Sequence, residues 1–420
     1  MSTQRPTSDR TRRVVVTGVG AISAVGATAT ATWEGVRDGR TGIRTITRFD
    51  PTGFETTFAA EIPDFDPTIV GKKEHRRMDR YTQFATVSAR AAVEQSGLDI
   101  SADPTRVGVV LATAMAGIET FENTVDTLIT RGPRRVSPFA VPMVIPNIAP
   151  GMVAIDLGAK GPNFAYSSAF AGSANAIGEA ARMITDGLVD AMIAGGAEAP
   201  ITRTGVAGFS AMGALSTRND DPQHAIRPFD RTRDGCILGE GGAVLVLEDR
   251  DHAITRGATI LAELVGYGST ADAFHLVALP DDGEGLVRAM RIALEDADLR
   301  PEQIGYLNAH GTSTEMNDRV ETGAIREVFG EHAPAIPVSS TKASTGHLLG
   351  AAGAMEAIIT IAAIAEGVVP PTLNHHEPEP GVDLDYVPNV ARAAEVTYAM
   401  SNSMGFGGHN AVLIFAKSDR

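Results

Sequence analysis

The sequence predicts a layered α/β fold, and two observations carry this prediction. Short runs of β-branched residues alternate with alanine-rich stretches of helical character, which is typical of α/β layering. Some of the short runs, such as residues 14–16 and 107–110, are apolar on both faces, as central strands covered by two layers of helices are. A chain of 420 residues with 43% hydrophobic residues can also bury a large core. This length predicts two or three domains, or one large duplicated domain.

Strands are predicted in both parts of the chain. In the first part they cover residues 13–17, 107–111, 191–194 and 243–247. In the second part they cover residues 260–267, 304–308, 336–339, 395–400 and 411–416.

Helices are predicted over residues 80–95, 174–186, 285–296, 318–329 and 350–365. The second and the last of these are rich in Ala, Ile and Met around their whole circumference, so we expect both to be buried in the middle of the molecule. Each half of the chain therefore has its own strands and one unusually apolar helix. We predict halves at residues 13–255 and 256–420, with no visible sequence repeat between them.

Charge and cysteine content exclude several kinds of partner and site. The chain has 36 Lys+Arg against 51 Asp+Glu, and its net charge of -15 argues against nucleic acid or an anionic membrane as a partner. Cys236 is the only cysteine, which excludes an intramolecular disulfide and a cysteine metal cluster and fits a reducing cytosol.

The ends and the apolar stretches of the chain predict a cytoplasmic protein without a membrane span. Residues 1–12 are polar and lack the apolar core of a signal peptide, so we expect a disordered leader there. Residues 351–364 are apolar, but Glu356 interrupts them, and no segment looks long and uncharged enough to cross a bilayer.

Two histidines lie in segments rich in glycine, threonine and serine. His310 lies within residues 308–314 and His347 within residues 342–350, and these contexts favour a catalytic role over simple core or surface positions. Further motifs follow in order along the chain, at residues 131–138, 195–198, 215–220, 227–230, 233–235 and 405–410.

Together these segments resemble the β-ketoacyl-acyl carrier protein synthases of the elongating (synthase II) type and their type II polyketide relatives. The resemblance covers nearly everything from residue 13 to residue 417. It implies the thiolase fold, in which two related α/β halves pack as five layers, αβαβα, and work as a dimer.

The reaction that the resemblance implies is a decarboxylative Claisen condensation. An acyl group passes from an acyl carrier protein to a cysteine, and a carrier-bound malonyl group then loses carbon dioxide and attacks it. By resemblance, His310 and His347 stabilise the enolate, since a neutral imidazole can donate a hydrogen bond, and Lys342 orients the site. Thr312 and Thr314 would contact the 4'-phosphopantetheine arm of the carrier. No bound cofactor and no metal are expected.

The nucleophile itself is missing. Where the family has a cysteine before an alanine-rich helix, this chain has Phe170. A helix N-terminus would lower the pKa of a thiol there, and by resemblance the backbone N–H groups of Phe170 and Phe406 form the oxyanion hole. A phenylalanine side chain cannot form a thioester, so we expect that this form cannot carry the acyl intermediate.

Three interpretations of Phe170 stay open at this point. We favour a deliberate substitution, because His310, Lys342 and His347 are all retained. A malonyl decarboxylase that uses the histidines without a nucleophile comes next, and a natural noncatalytic subunit of the chain-length-factor kind is the third. Cys236 as a substitute nucleophile is disfavoured, since its context fits a small buried hydrophobic residue. A thiolase is also disfavoured, because residues 405–410 contain no second cysteine.

The resemblance also assigns an acyl pocket. Phe406 and Phe209 would gate it, Met115 would lie at its end, and Ala140 replaces an aromatic residue that often lines it across the dimer interface. Met404 before the gate and Gly213 in place of a docking arginine are further departures. Together they favour a polyketide-type synthase, as a homodimer or as a heterodimer with a chain-length-factor-like subunit.

An acidic carrier protein requires a basic docking patch on this acidic chain. One candidate comprises Lys72, Lys73, Arg76 and Arg77, and a second comprises Arg131, Arg134 and Arg135.

Overall fold

The computed structural model describes residues 12–418. Its strands are β1 (Val14–Ile22), β2 (Arg44–Thr45), β3 (Phe58–Ala59), β4 (Val107–Ala112), β5 (Asn163–Tyr166), β6 (Ala191–Glu198), β7 (Gly241–Asp249), β8 (Ala262–Ala271), β9 (Ile304–Asn308), β10 (Val338–Ser339), β11 (Val368–Val369), β12 (Arg392–Ala393), β13 (Tyr398–Gly405) and β14 (His409–Lys417). Its α-helices are α1 (Ala29–Arg37), α2 (Arg80–Ser96), α3 (Ile118–Arg131), α4 (Ala140–Val144), α5 (Ile148–Leu157), α6 (Gly172–Thr185), α7 (Arg203–Ala211), α8 (Arg250–Thr255), α9 (Glu284–Asp296), α10 (Glu315–Phe329), α11 (Lys342–Thr345) and α12 (Ala352–Glu366).

Ten of these strands form one sheet, and its order reveals a duplication. The order is β10-β9-β13-β14-β8-β1-β7-β6-β4-β5. Read outward from the β8–β1 contact, both halves show the same sequence of pairings: antiparallel, antiparallel, parallel and parallel. The two halves therefore share one topology, although no repeat is visible in the sequence.

The two halves of this sheet form two strand layers, and the helices supply the other three layers. Helix α2 covers β1, β7 and β6 on the outside of the first half, and α9 covers β8 and β14 on the outside of the second. Between the halves lie α6 and α12, which contact each other and strands of both halves. This arrangement is the αβαβα thiolase fold that the resemblance implies, so the predicted fold class is confirmed.

The two apolar helices are buried in the middle layer, as predicted. By length and composition alone Leu349–Glu366 could cross a membrane, which corrects the expectation that no segment is long and apolar enough. However, 83% of that stretch is buried inside the protein, because strands of both halves cover it. Its apolar surface is explained by core packing.

Each predicted strand and each predicted helix overlaps an observed one, but several elements were not predicted. Helices α1 and α7 contain threonine and glycine, which are weak helix formers. Both begin at a threonine cap: Thr28 Oγ1 accepts from the Ala31 amide at 3.1 Å, and Thr202 Oγ1 accepts from the Gly205 amide at 3.0 Å. The threonine caps were the signal that could have located these helices.

Of the predicted leader, residues 1–11 lie outside the described residues, and Arg12 forms an ion pair with Asp190 at 2.9 Å.

Candidate active site

Phe170 lies in a tight turn at the N-terminus of the buried helix α6. The turn is the 3₁₀ segment Ala169–Ala171, and Ala169 has φ of 47°, a left-handed conformation that is uncommon outside glycine. The end of β13 approaches this turn closely. A Cβ added at Gly405 would lie only 2.9 Å from the amide nitrogen of Phe170, so glycine is required there. The backbone leading into Phe406 therefore lies beside the Phe170 amide, and the role of these two amides as an oxyanion hole stays a prediction.

The phenyl ring of Phe170 lies in a cluster of aromatic rings. Its centroid is 4.7 Å from that of Phe406 and 4.8 Å from that of His347, both in edge-on geometry, and 6.2 Å from that of Phe209. Such edge-on pairs stabilise ring packing. The ring is 8% exposed, so it fills the space in front of the histidine where a reacting group would have to stand.

His347 presents one ring nitrogen to the cavity. Its Nδ1 accepts a hydrogen bond from the Leu349 amide at 3.2 Å, so in the neutral ring the proton is on Nε2. Within residues 12–418, Nε2 has no hydrogen-bond partner although it is buried. The Nε2–H of His347 is therefore an unpaired hydrogen-bond donor beside the Phe170 ring.

His310 faces His347 at a centroid distance of 5.3 Å. Its loop is held by Glu321, which accepts from the amides of His310 and Gly311, both at 2.8 Å. The His310 Nδ1 also has no hydrogen-bond partner among the described residues. Burial, together with the charge of Lys342, lowers the pKa of both imidazoles well below the usual value, so both are neutral near pH 7.

Lys342 is buried behind the histidines and does not line the cavity. Its ammonium group donates to the carbonyl oxygen of His310 and pairs with Glu356 on helix α12. Lys342 is 1% exposed and Glu356 is 3% exposed. Burial raises the pKa of Glu356 to about 7, and the adjacent ammonium group opposes that rise. Lys342 therefore contacts the site through the His310 backbone, and its charge contributes to the lowered pKa of both histidines.

Phe170, His310 and His347 meet in a cavity of about 210 Å³. Thr312 and Thr314, whose hydroxyl oxygens are 2.8 Å apart, form part of its wall. The remaining wall is mostly apolar and consists of Phe170, Phe209, Met212, Ala214, Cys236, Val277, Leu279, His310, Met316, Asn317, His347, Met404, Gly405 and Phe406.

Cys236 was expected to be a small buried hydrophobic residue, and it is buried, but it also lines the cavity. Burial raises the pKa of its thiol to about 12, so the thiol is protonated near neutral pH. A protonated, desolvated thiol is a poor nucleophile.

Two predicted pocket residues do not line this cavity. Met115 packs against the cluster that contains Phe170 and Phe209 but is not among the residues that line the cavity. Ala140 begins α4 and is buried away from the cavity. Their roles in an acyl pocket stay predictions.

The two basic segments lie on the surface. Lys72, Lys73, Arg76 and Arg77 are exposed at the 3₁₀ turn Glu74–Arg77, and Arg131, Arg134 and Arg135 are exposed at the end of α3 and in the turn that follows it. The Arg77 guanidinium of the first segment lies 4.8 Å above the ring of Phe139, which follows the second segment in the chain.

Sequence reasoning did not identify three buried carboxylates of this region: Glu198, Glu321 and Glu356. Glu356 offered a signal, because it interrupts an otherwise apolar helix. Within residues 12–418 no group of three His, Cys, Asp or Glu side chains is arranged to hold a metal ion.

Comparison with known proteins gives a consistent result. Residues 11–253 match the family described as Beta-ketoacyl synthase, N-terminal domain, and residues 261–376 match Beta-ketoacyl synthase, C-terminal domain. A 3-oxoacyl-[acyl-carrier-protein] synthase 2 of Staphylococcus aureus (strain COL) is 52% identical over 408 residues, which cover 97% of this chain and 98% of that protein.

Solved structures agree with this match. The ishigamide ketosynthase/chain length factor superposes with a TM-score of 0.91 at 36% identity. The match covers 97% of this chain and 99% of the other. A type II polyketide synthase acyl-carrier protein in complex with its ketosynthase superposes with a TM-score of 0.90 at 35% identity. The match covers 97% of this chain and 100% of the other. The two family matches together span most of the chain, and the curated relative is similar over nearly its whole length. This chain therefore belongs to the β-ketoacyl synthase family.

Proposed function

We propose that this chain is a β-ketoacyl-ACP synthase of a type II fatty acid or polyketide system, in a form arrested before acyl transfer. The observation that carries the proposal is the Phe170 ring, packed against His347 and Phe406 at the N-terminus of α6. The surrounding site has the parts that condensation uses, and the position of the nucleophile holds an inert side chain. The test is the mass of the protein and of its Phe170→Cys variant after incubation with acyl-carrier protein.

The substrates arrive on the 4'-phosphopantetheine arm of an acyl carrier protein. Thr312 and Thr314 are the polar groups that would meet the arm in the mostly apolar cavity. Beyond them, the neutral imidazoles of His310 and His347 would donate to the thioester oxygen of a malonyl group. These donors are fixed before substrate binds, since His347 is held by Leu349 and the His310 loop by Glu321.

The carrier is expected to dock on the two basic segments. Lys72→Glu with Arg76→Glu should raise the apparent Kd for the carrier at low salt roughly tenfold or more, because like charges at a rim slow association. The difference from the parent should shrink as salt screens it. Binding titrations at several salt concentrations measure this effect.

The control for docking is Arg300→Glu, at a residue whose side chain is 80% exposed outside both segments. An equal loss of binding in this variant would show that net charge, rather than the docking surface, sets the affinity.

We propose that the chain works in the cytoplasm as a homodimer or with a chain-length-factor-like subunit. The support is a group of exposed apolar side chains on the helices α3, α4 and α5, of which α5 packs on the edge strand β5. Its members are Phe121 at 54% exposure, Ile129 at 77%, Val141 at 71% and Ile155 at 75%. Exposed apolar side chains on neighbouring helices are the kind of surface that a protein interface covers.

Decarboxylation of the malonyl-carrier is a second candidate activity, and the unpartnered donor of His347 beside the inert ring favours it. The bond between the carboxyl carbon and the α-carbon would break, with its electron pair passing into the enolate. Loss of carbon dioxide and protonation by water would leave an acetyl-carrier.

This activity has an expected pH profile. Because the pKa of both histidines is lowered, the imidazoles stay neutral above their usual pKa of about 6.5 and for some distance below it. Release of carbon dioxide should therefore be flat from pH 6.5 to 8 and fall only in more acidic solution. A rate that drops as pH rises through about 6.5 would mean that a protonated imidazole is required, contrary to this assignment. His347→Ala should abolish the release.

A further inference from the structure

Glu198 is a buried carboxylate that the proposed chemistry does not use directly. It ends β6 and is 0% exposed. It accepts four hydrogen bonds: from the Ala114 amide at 2.6 Å, the Met115 amide at 3.1 Å, the Thr113 hydroxyl at 3.0 Å and the Gly350 amide at 3.0 Å. The first three donors belong to one loop, and the fourth is the last residue of the His347 segment. One side chain thus joins two segments that lie far apart in the sequence.

The junction around Glu198 has no spare room. A Cβ added at Gly350 would lie 2.5 Å from the Ala114 amide nitrogen and 2.8 Å from Glu198 Oε2. A Cβ added at Gly196 would lie 2.9 Å from the carbonyl oxygen of Gly350. Backbone is therefore packed directly on backbone, and a shift of one segment moves the other.

The two segments end at different parts of the site. The Leu349 amide donates to Nδ1 of His347, and the next amide, that of Gly350, donates to Glu198. On the other side, Met115 packs against the cluster that holds Phe170 and Phe209. Glu198 is thus bonded to the backbone that fixes the tautomer of His347 and to the loop that backs the aromatic wall.

We propose that Glu198 is a positioning residue that fixes the His347 donor and the Met115 loop relative to one another, so that it sets both the rate of malonyl activation and the length of the acyl group accepted. This inference rests on the proposed function. Glu198 acts through backbone amides and touches no substrate.

A carboxylate is chemically required in this place. Its two oxygens accept all four donors, whereas a glutamine has one acceptor oxygen and would point an N–H₂ group at an amide N–H. A buried group with a missing or opposed hydrogen bond is costly, so the segments would move apart to relieve it.

The test compares Glu198→Gln with Glu248→Gln, both in the Phe170→Cys background. Glu248 is the matched control: it is 0% exposed, accepts from Thr17 at 2.9 Å and from Arg256, and lies away from the cavity. Glu198→Gln should lower kcat roughly 10- to 100-fold with KM for the carrier little changed, since small misplacements of reacting groups have effects of this size. It should also shift the distribution of product chain lengths. Equal kcat losses in both variants with an unchanged product distribution would overturn the proposal.

A second measurement needs no condensation activity. The ¹⁵N chemical shifts of histidine side chains report the tautomer, so the His347 signal of the Phe170 parent should show the proton on Nε2 and lose that signature in Glu198→Gln. An unchanged His347 signal would overturn the proposal even if the Phe170→Cys protein were inactive, an outcome that would count against the proposed function alone. If Glu198→Gln does not fold, Glu198→Asp keeps both acceptor oxygens, and it should retain the tautomer while changing the product lengths.

Discussion

The Phe170→Cys variant is expected to form an acyl-enzyme that the parent chain cannot form. Removal of the ring opens the space in front of His347, and the N-terminus of α6 would lower the pKa of the new thiol. If the backbone amides of residues 170 and 406 form the predicted oxyanion hole, they would then stabilise the negative charge that develops during acyl transfer. Loss of a nucleophile in other acyl-transfer enzymes has cost on the order of 10⁶ in rate, so we expect a change from no detectable condensation to ready turnover.

Intact-protein mass and the mass of the carrier-bound product measure this change together. Phe170→Ala is the control for space alone, because it removes the ring without adding a nucleophile, and it should stay unacylated. Cys236→Ser in the Phe170→Cys background removes the other thiol, so a mass increase there belongs to residue 170. A Phe170→Cys protein that remains inert even with a candidate partner subunit would favour the noncatalytic-subunit interpretation.

The positions of the two histidines could be predicted from the sequence, because they lie in short motifs that occur together with several others in a fixed order. The segments of His310 and His347 were located from glycine and threonine context, and the structure places both rings in one cavity with Phe170. Buried strands and the two middle helices were likewise predicted, since their apolar pattern persists over many residues. Elements with a weaker pattern were missed: β5 has four residues, and no residue of α3 is buried within this chain.

The connections between distant segments could not be predicted. Glu356 was visible in the sequence only as a break in an apolar helix, and nothing indicated the bonds of Glu198 to Gly350 or of Lys342 to Glu356. The duplication is also hidden, because strand order and pairing direction are kept while side chains differ. What was missed is the set of hydrogen bonds that holds the predicted groups in place.

Lys342→Met is expected to destabilise the fold by about 3–5 kcal/mol, because it removes one partner of a buried ion pair and leaves Glu356 without its cation. The variant also leaves the carbonyl oxygen of His310 without its ammonium donor. Denaturant unfolding of parent and variant measures the difference. The exposed Lys73→Met change is the control and should alter stability by less than about 0.5 kcal/mol. Lys342→Met with Glu356→Gln should recover much of the loss, since no buried charge is then uncompensated.

The stability lost by Lys342→Met should depend on pH in a defined direction. The pKa of Glu356 is already about 7 beside the lysine, above the ordinary 4.5, and loss of the ammonium group raises it further. A carboxyl group whose pKa is higher in the folded state destabilises the fold increasingly as pH rises above its unfolded value. The deficit of Lys342→Met should therefore be largest near pH 8 and shrink toward pH 5, where folding protonates Glu356 at little cost. Each unit of pKa difference corresponds to about 1.4 kcal/mol, so the total change of the deficit over the pH range reports the size of the shift. A deficit that is the same at both pH values would show that lost packing, and not an uncompensated carboxylate, causes it.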